Sequence, residues 1–201
     1  AIPQIAAVVA HIARETGGKR VHLVAHSWGT MAAGGFAAAY PEQVARLVMF
    51  GPIVQRSMTG LPAADGIGAW RCLSVPEQLA RFVEDVPPGH PPVLIEPELA
   101  QWGPAWLATD PEAAMRAPHA VKIPNGPFAD NIAALSGRLA YDPARVTAPT
   151  LIVRGAWDNL CQNADAAWLM HRLGAERKAD VVIPAATHLM HLEHGRDGLF
   201  E

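Results

Sequence analysis

Charge is scarce in this sequence, and so is cysteine. Asp, Glu, Lys and Arg make up 17% of the 201 residues, 19 acidic against 16 basic, for a formal net charge of −3. A nucleic-acid-binding face needs a basic excess that this balance lacks, so no nucleic-acid partner is expected. No block of like charge marks a tail or a polybasic membrane patch. No apolar run reaches the roughly 18 residues that a membrane span needs. The opening stretch AIPQIAAVVAHIARETGG lacks the basic start of a signal peptide and has the spacing of an amphipathic helix. These absences predict no membrane partner and a cytoplasmic location. The two cysteines, Cys72 and Cys161, lie far apart and form neither a metal nor a redox spacing. That argues against a disulfide framework and makes a reducing compartment the default. What is abundant is apolar: half of the residues are hydrophobic, enough to bury one sizeable core, with or without a large insertion. The 17 glycines and 18 prolines follow no repeat period, which indicates loops and not low complexity.

Apolar residues at Ile5, Val8, Val9 and Ile12 recur at helical spacing, and Gly17-Gly18 ends that pattern. Val21 to Ala25 is a short β-branched run, the pattern of a buried strand. Trp28 to Tyr40 is Ala-rich and free of Pro, which predicts a helix stopped by Pro41. Val44 to Phe50 predicts a second strand, closed by Gly51-Pro52. Helix, strand, helix, strand is the alternation of a parallel α/β sheet. From about Ile53 to about Asp142 no strand run is evident. Pro-punctuated helical pieces take its place at 76–86, 97–108, 111–117 and 128–139, with Trp70, Trp102 and Trp106 among them. The alternation resumes with a strand over Pro149 to Gly155, a helix over about Asn163 to Leu173 and a strand over Ala179 to Ile183. A last helix is predicted to open near Leu189. The predicted organisation is an α/β core at 1–54 and 141–201, interrupted by a helical cap or lid insertion at 55–140.

The strongest local signal is Ala25-His26-Ser27-Trp28-Gly29, set between a predicted strand and a predicted helix. A serine there is forced into a sharp turn, and small residues two places either side let the backbone make it. The hydroxyl is presented at the carboxyl end of the strand, over a helix N-terminus. Ala156-Trp157-Asp158 follows the strand ending at Gly155, and Ala186-Thr187-His188 follows the strand ending near Ile183. Each candidate lies just past the carboxyl end of a strand, where open α/β sheets bind ligands. The pentapeptide resembles the nucleophile elbow G-x-S-x-G of the α/β-hydrolase family, with Ala25 in place of the first Gly. The chain order Ser27, Asp158, His188 is also the order that family uses.

The resemblance implies a mainly parallel sheet with helices on both faces and a helical cap, and a serine hydrolase carrying the triad Ser27, His188 and Asp158. It implies Ser27 as nucleophile, His188 as general base and then acid, Asp158 as the orienting carboxylate, and the Trp28 N–H as one oxyanion donor. It implies no cofactor. It also implies strands ahead of the elbow strand and a second oxyanion donor that this chain does not contain. With about four core strands where the resemblance implies about eight, the core is expected to be incomplete. The edge of Val21 to Ala25 would then be exposed, and one oxyanion donor of two would lose ~10²–10³ in rate.

Other residues invite weaker readings. His26, Trp102, Trp106 and Met190 are candidate substrate contacts. Packing under the turn is the alternative for His26, a small core of the cap for the tryptophans, and a place in the core for Met190. His188, His191 and His194 are three apart. At ~100° per residue their side chains drift around a helix, and the pattern is not H-E-x-x-H, so no metal is expected. Cys161, close to Asp158, is expected to be a buried structural thiol. The Pro-rich stretch at 86–92 is expected to be a stiff loop, and Gly34-Gly35 to mark close packing against the sheet.

The leading expectation is a hydrolase of the serine-esterase type. It would cleave an ester, thioester or activated amide of a small apolar substrate, its one predicted partner. An aminopeptidase of the prolyl-iminopeptidase type is the second reading. Such enzymes also carry a Ser-Trp-Gly elbow, and the acidic Glu77, Glu84, Asp85, Glu96 and Glu98 are available to hold a substrate amine. A non-catalytic ligand-binding protein or an inert fragment is the third.

Overall fold

In a computed structural model the alternation becomes a four-stranded parallel sheet, with residues 1–18, 20–63 and 66–200 described. Helix α1 (Ile2–Thr16) leads into β1 (Val21–His26), α2 (Trp28–Ala39) and β2 (Val44–Phe50). After the segment 51–149 come β5 (Thr150–Gly155), α6 (Asn163–Arg172), β6 (Lys178–Ile183) and the short α7 (Asp197–Phe200). The strand order is β1-β2-β5-β6, every pair parallel. Neighbours β2 and β5 are thus joined by the whole 51–149 segment. Among the described residues β1 pairs only with β2, so it is an edge strand, as expected.

The two central strands, β2 and β5, carry most of the buried apolar residues of the sheet. Leu47, Met49 and Ile152 meet Val9 of α1, Phe36 and Ala37 of α2 and Leu169 of α6 on one face. On the other, Val153 packs with Ile183, Ala186 and Met190, and Val48, Phe50, Leu151 and Leu199 of α7 lie against them. Truncating a side chain such as Leu47, fully buried, would cost about 2–5 kcal/mol. Val24 of β1 stays 70% exposed. Gly34 and Gly35 do mark close packing, but their neighbours are Tyr141 and Ile2 and not the sheet. A Cβ on Gly34 would lie 2.5 Å from the Tyr141 ring, and one on Gly35 2.9 Å from Ile2.

Segment 51–149 carries α3 (Val75–Val83), α4 (Trp102–Leu107) and α5 (Gly126–Leu135), each near a predicted helical piece. Helix α3 is started by a capping box, Ser74 with Glu77. The piece predicted at 111–117 is only a 3-10 turn, Ala113–Met115. The segment also holds strands that the sequence did not reveal. β3 (Trp70–Ser74) and β4 (Ala120–Pro124) pair antiparallel across fifty residues. Each is five residues long and half-exposed, too short for a period-2 pattern to stand out from a loop. The helix predicted near Leu189 is a single turn, Met190–Leu192. It stops because residues 192–194 extend to pair with 93–95. The Ile95 N–H donates to the Leu192 carbonyl at 3.0 Å, and the His194 N–H to the Val93 carbonyl at 2.9 Å. No helix among the described residues is long and apolar enough to cross a membrane.

Candidate active site

β1 ends at His26 and α2 begins at Trp28, which leaves Ser27 alone to make the turn. Its backbone sits at φ 55°, ψ −128°, a region that an L-residue enters only when its surroundings impose it. Three hydrogen bonds impose it. The Ser27 N–H donates to the Phe50 carbonyl at 3.1 Å. The Ser27 carbonyl accepts from the Thr30 N–H at 2.9 Å and from its hydroxyl at 2.6 Å. Thr30 is itself buried, and its hydroxyl accepts from the Ile53 N–H at 3.3 Å.

Asp158 follows β5 and His188 follows β6, and the two meet. The His188 Nδ1 lies 3.0 Å from Asp158 Oδ2, with both residues under 5% exposed. Asp158 Oδ1 accepts from the N–H groups of Leu160 at 2.8 Å and Cys161 at 2.9 Å. Burial alone would raise the Asp158 pKa. The hydrogen bond from His188, its charge and the two N–H donors outweigh burial and hold the carboxyl below its ordinary value. Facing a carboxylate, Nδ1 carries the proton and Nε2 is left with its lone pair. That Nε2 is buried and has no hydrogen-bond partner among the described residues, so the Ser27 hydroxyl is not bonded to it here. Such hydrogen bonds are often long in ligand-free catalytic sites.

Two glycines make room for this pair. A Cβ on Gly51 would sit 2.8 Å from the His188 ring and 3.1 Å from Asp158 Oδ2, and its φ of +53° also favours glycine. A Cβ on Gly155 would lie 2.1 Å from the Ala186 carbonyl oxygen. The turns after β5 and β6 therefore approach backbone to backbone, and the Trp157 N–H donates to the same Ala186 oxygen at 2.9 Å.

His26 lies beneath. Its ring stacks on Phe50 at 4.4 Å and sits 4.8 Å from the His188 ring and 4.6 Å from the His191 ring. Its Nε2 donates to the His188 carbonyl at 2.9 Å. Desolvation first, and then repulsion from His188, lowers its pKa to about 3, so it is neutral at ordinary pH. Burial and His188 likewise lower His191. Three imidazoles converge, yet no group among the described residues has the makings of a metal site. Burial, and then Asp158 and Asp165, push the Cys161 thiol far up, which leaves no thiolate to react.

The remaining sequence candidates are dispersed. The Trp28 indole donates to Asp130 of α5 at 2.8 Å. Trp102 stacks on Trp106 at 5.2 Å and packs on Phe82 at 5.5 Å. It lines an apolar cavity of about 180 Å³ with Leu94, Leu99, Leu192, Glu96 and Arg196. Met190, fully buried, packs with Val153, Ile183 and Ala186. A roomier concavity, about 610 Å³, lies at the starts of β5 and β6, at the far end of the strands from Ser27.

Sequence reasoning missed Gly51 and Gly155, whose significance is a matter of long-range approach, and Thr187 and Glu193, which meet six residues apart. It also missed the ties from segment 51–149 to these loops. Asp85 accepts from the Asn159 N–H at 3.3 Å and its Nδ2 at 2.8 Å. His90 meets the Trp157 ring edge-on at 4.6 Å.

A family model described as serine aminopeptidase, S33, matches residues 2–195. No curated protein matches the chain. Among solved structures, it resembles a monoacylglycerol lipase of Paleococcus ferrophilus, with a TM-score of 0.54, 19% identity, and 99% of this chain and 71% of that one covered. It resembles the thioesterase domain of the curacin biosynthetic pathway at TM-score 0.61 and 16% identity, covering 98% and 69%. It also resembles a peroxisomal α/β-hydrolase of Saccharomyces cerevisiae at 0.58 and 14%, covering 96% and 55%. Identities this low speak for the fold alone. The chain spans between 55% and 71% of the lengths of these proteins.

Proposed function

Because this chain belongs to the serine aminopeptidase family, S33, we propose that it is a serine hydrolase that cleaves an ester, thioester or activated amide of a small apolar substrate through an acyl-enzyme. The observation that carries the proposal is the buried Asp158–His188 pair at 3.0 Å, with its outer nitrogen uncommitted, together with a serine held at φ 55° in the turn after β1.

In this reading the Ser27 Oγ attacks the substrate carbonyl carbon while His188 Nε2 takes the hydroxyl proton. The tetrahedral intermediate collapses as His188 delivers that proton to the leaving group. Water then repeats the sequence on the acyl-serine and frees the acid. Asp158 keeps the proton on Nδ1 and stabilises the imidazolium. The Trp28 backbone N–H, at the N-terminus of α2, is one donor to the oxyanion. His26, donating to the His188 carbonyl, supports the general base from below. Residues 55–140 form the cap over the site, with Trp102 and Trp106 in its apolar wall.

The aminopeptidase reading has one observation in its favour besides the family description. Glu96 lines the apolar cavity beside Trp102, where a carboxylate would receive a substrate ammonium. Its carboxylate is already engaged by the N–H groups of Gln101 and Trp102, which weakens that use.

Fluorophosphonate labelling, mapped by mass spectrometry, tests the proposal. Stoichiometric labelling at Ser27, abolished by Ser27→Ala, is the expected result. A folded chain that takes up no label overturns it. Acyl p-nitrophenyl esters against aminoacyl p-nitroanilides then separate the two readings.

A further inference from the structure

Glu193 is buried in an unusual way. A carboxylate is almost never fully buried without a cation, yet Glu193 is 1% exposed. No ion pair among the described residues includes it. Among the described residues its hydrogen-bond donors come from one residue. The Thr187 N–H donates to both carboxylate oxygens at 3.2 Å, and the Thr187 hydroxyl donates to Oε1. The same hydroxyl accepts from the Leu189 N–H at 3.0 Å. The residues on either side of His188 are thus tied to one carboxylate.

The backbone on either side of Glu193 is held from elsewhere in the chain. Residues 93–95 pair with 192–194, the Leu94 and Glu193 backbones lying opposite each other. The charged groups that face Glu193 are Asp85, beyond the end of α3, and Asp158, on the turn after β5. Burial, and then these two carboxylates, work against its ionisation, and the Thr187 donors work for it. The balance leaves the carboxyl above its ordinary value. The His188 turn leaves β6 through Ala185 at φ 52° and has no regular structure before Met190, so its geometry depends on such side-chain restraints.

We propose that Glu193 is a positioning residue, which holds the His188 turn through Thr187 while the backbone pairing at 93–95 fixes Glu193 itself. The proposal rests on the reading of Ser27 and His188 given above. It assigns Glu193 no contact with substrate.

Four variants test it. Glu193→Ala removes the acceptor, and Glu193→Gln keeps one acceptor oxygen at the same size. Thr187→Val removes only the hydroxyl, and Thr187→Ser restores it. The readouts are the rate constant of fluorophosphonate labelling at Ser27, kcat and KM on an aryl ester, and the low-field proton NMR signal of His188 Nδ1–H. Misplacing a catalytic group by about 1 Å costs on the order of 10²-fold in rate. Glu193→Ala and Thr187→Val should therefore lose about that in labelling rate and kcat, with KM within about threefold, while Glu193→Gln and Thr187→Ser recover to within about fivefold of the parent. Should Glu193→Ala fail to fold, Thr187→Val carries the test. Folded variants labelled at the parent rate overturn the proposal. If the parent protein takes no label, the serine-hydrolase reading fails by itself, and the NMR signal still decides here. A signal lost in both Glu193→Ala and Thr187→Val supports the positioning role, and one unchanged in both overturns it.

Discussion

The rim where β1, β5 and β6 end and the segment between β2 and β5 are held by different means. At the rim, backbone meets backbone. The Trp157 N–H reaches the Ala186 carbonyl, Gly155 lies too close to that carbonyl for any side chain, and Gly51 lies against the His188 ring. The segment 51–149 reaches the rim mainly through side chains: Asp85 to Asn159, Arg56 to Asp165 and to the Asn159 and Leu160 carbonyls, Asp130 to the Trp28 indole, and the edge contact of His90 with Trp157, beside a short backbone pairing at 93–95. The difference bears on how each region tolerates change. Backbone contacts cannot adjust by rotamer, so the rim keeps its geometry or loses it altogether. Side-chain contacts in water are worth about 1 kcal/mol each and can be lost singly.

The largest expected effect comes from placing the same substitution in both regions. Gly155→Ala forces a Cβ to within 2.1 Å of a backbone oxygen, whereas a Cβ on Gly126 of α5 meets nothing within 4 Å. Urea denaturation should show Gly155→Ala destabilised by about 4 kcal/mol or more, and Gly126→Ala within about 0.5 kcal/mol of the parent. Equal midpoints for the two would erase the contrast.

A smaller effect follows from His26, which sits within the rim. Its folded pKa is about 3 against an ordinary 6.5. As pH falls below 6.5 the unfolded chain takes up the proton and the folded one does not. The stability that comes from a neutral, buried His26 is therefore complete above that pH and lost progressively as pH falls toward 3. Each unit of separation is worth about 1.4 kcal/mol, so the loss at about pH 4.5 is roughly 2–3 kcal/mol. His191, lowered in the same direction, adds to the slope. Urea midpoints followed against pH should fall less steeply in His26→Gln than in the parent. Parallel curves would mean that His26 is already charged in the folded rim.

The smallest effect belongs to one tie from the segment. Asp85→Ala should cost about 1 kcal/mol in urea unfolding and leave Ser27 labelling within about threefold. A change of tenfold or more in labelling would show that the rim borrows its geometry from the segment, and the two regions would no longer be separable.

What was legible in the sequence was local. Ser27 between a β-branched run and an Ala-rich helix is a five-residue signal. The strands over Val44–Phe50 and Thr150–Gly155 stand out because strands of a parallel sheet are nearly continuous apolar runs. β3 and β4 did not stand out, because five half-exposed residues look like a loop until a partner fifty residues away supplies the ladder. Gly51 and Gly155 looked like ordinary strand endings, since what each avoids is a group more than thirty positions distant along the chain. Glu193 lies between His191 and His194. Nothing in those neighbours foretells that it would be buried against Thr187.

The sequence by itself determined the order of helices and strands in the α/β core, the turn at Ser27, and the placing of Asp158 and His188 just beyond the ends of two strands. These follow from hydrophobic period and turn chemistry, which act over a few residues. Only the tertiary structure decided that Asp158 and His188 meet at 3.0 Å, that His26 lies neutral beneath them, and that a buried carboxylate grips the turn between. Those outcomes depend on strand register, on desolvation and on backbones passing within a hydrogen bond of each other. All three arise when distant parts of the chain are brought together.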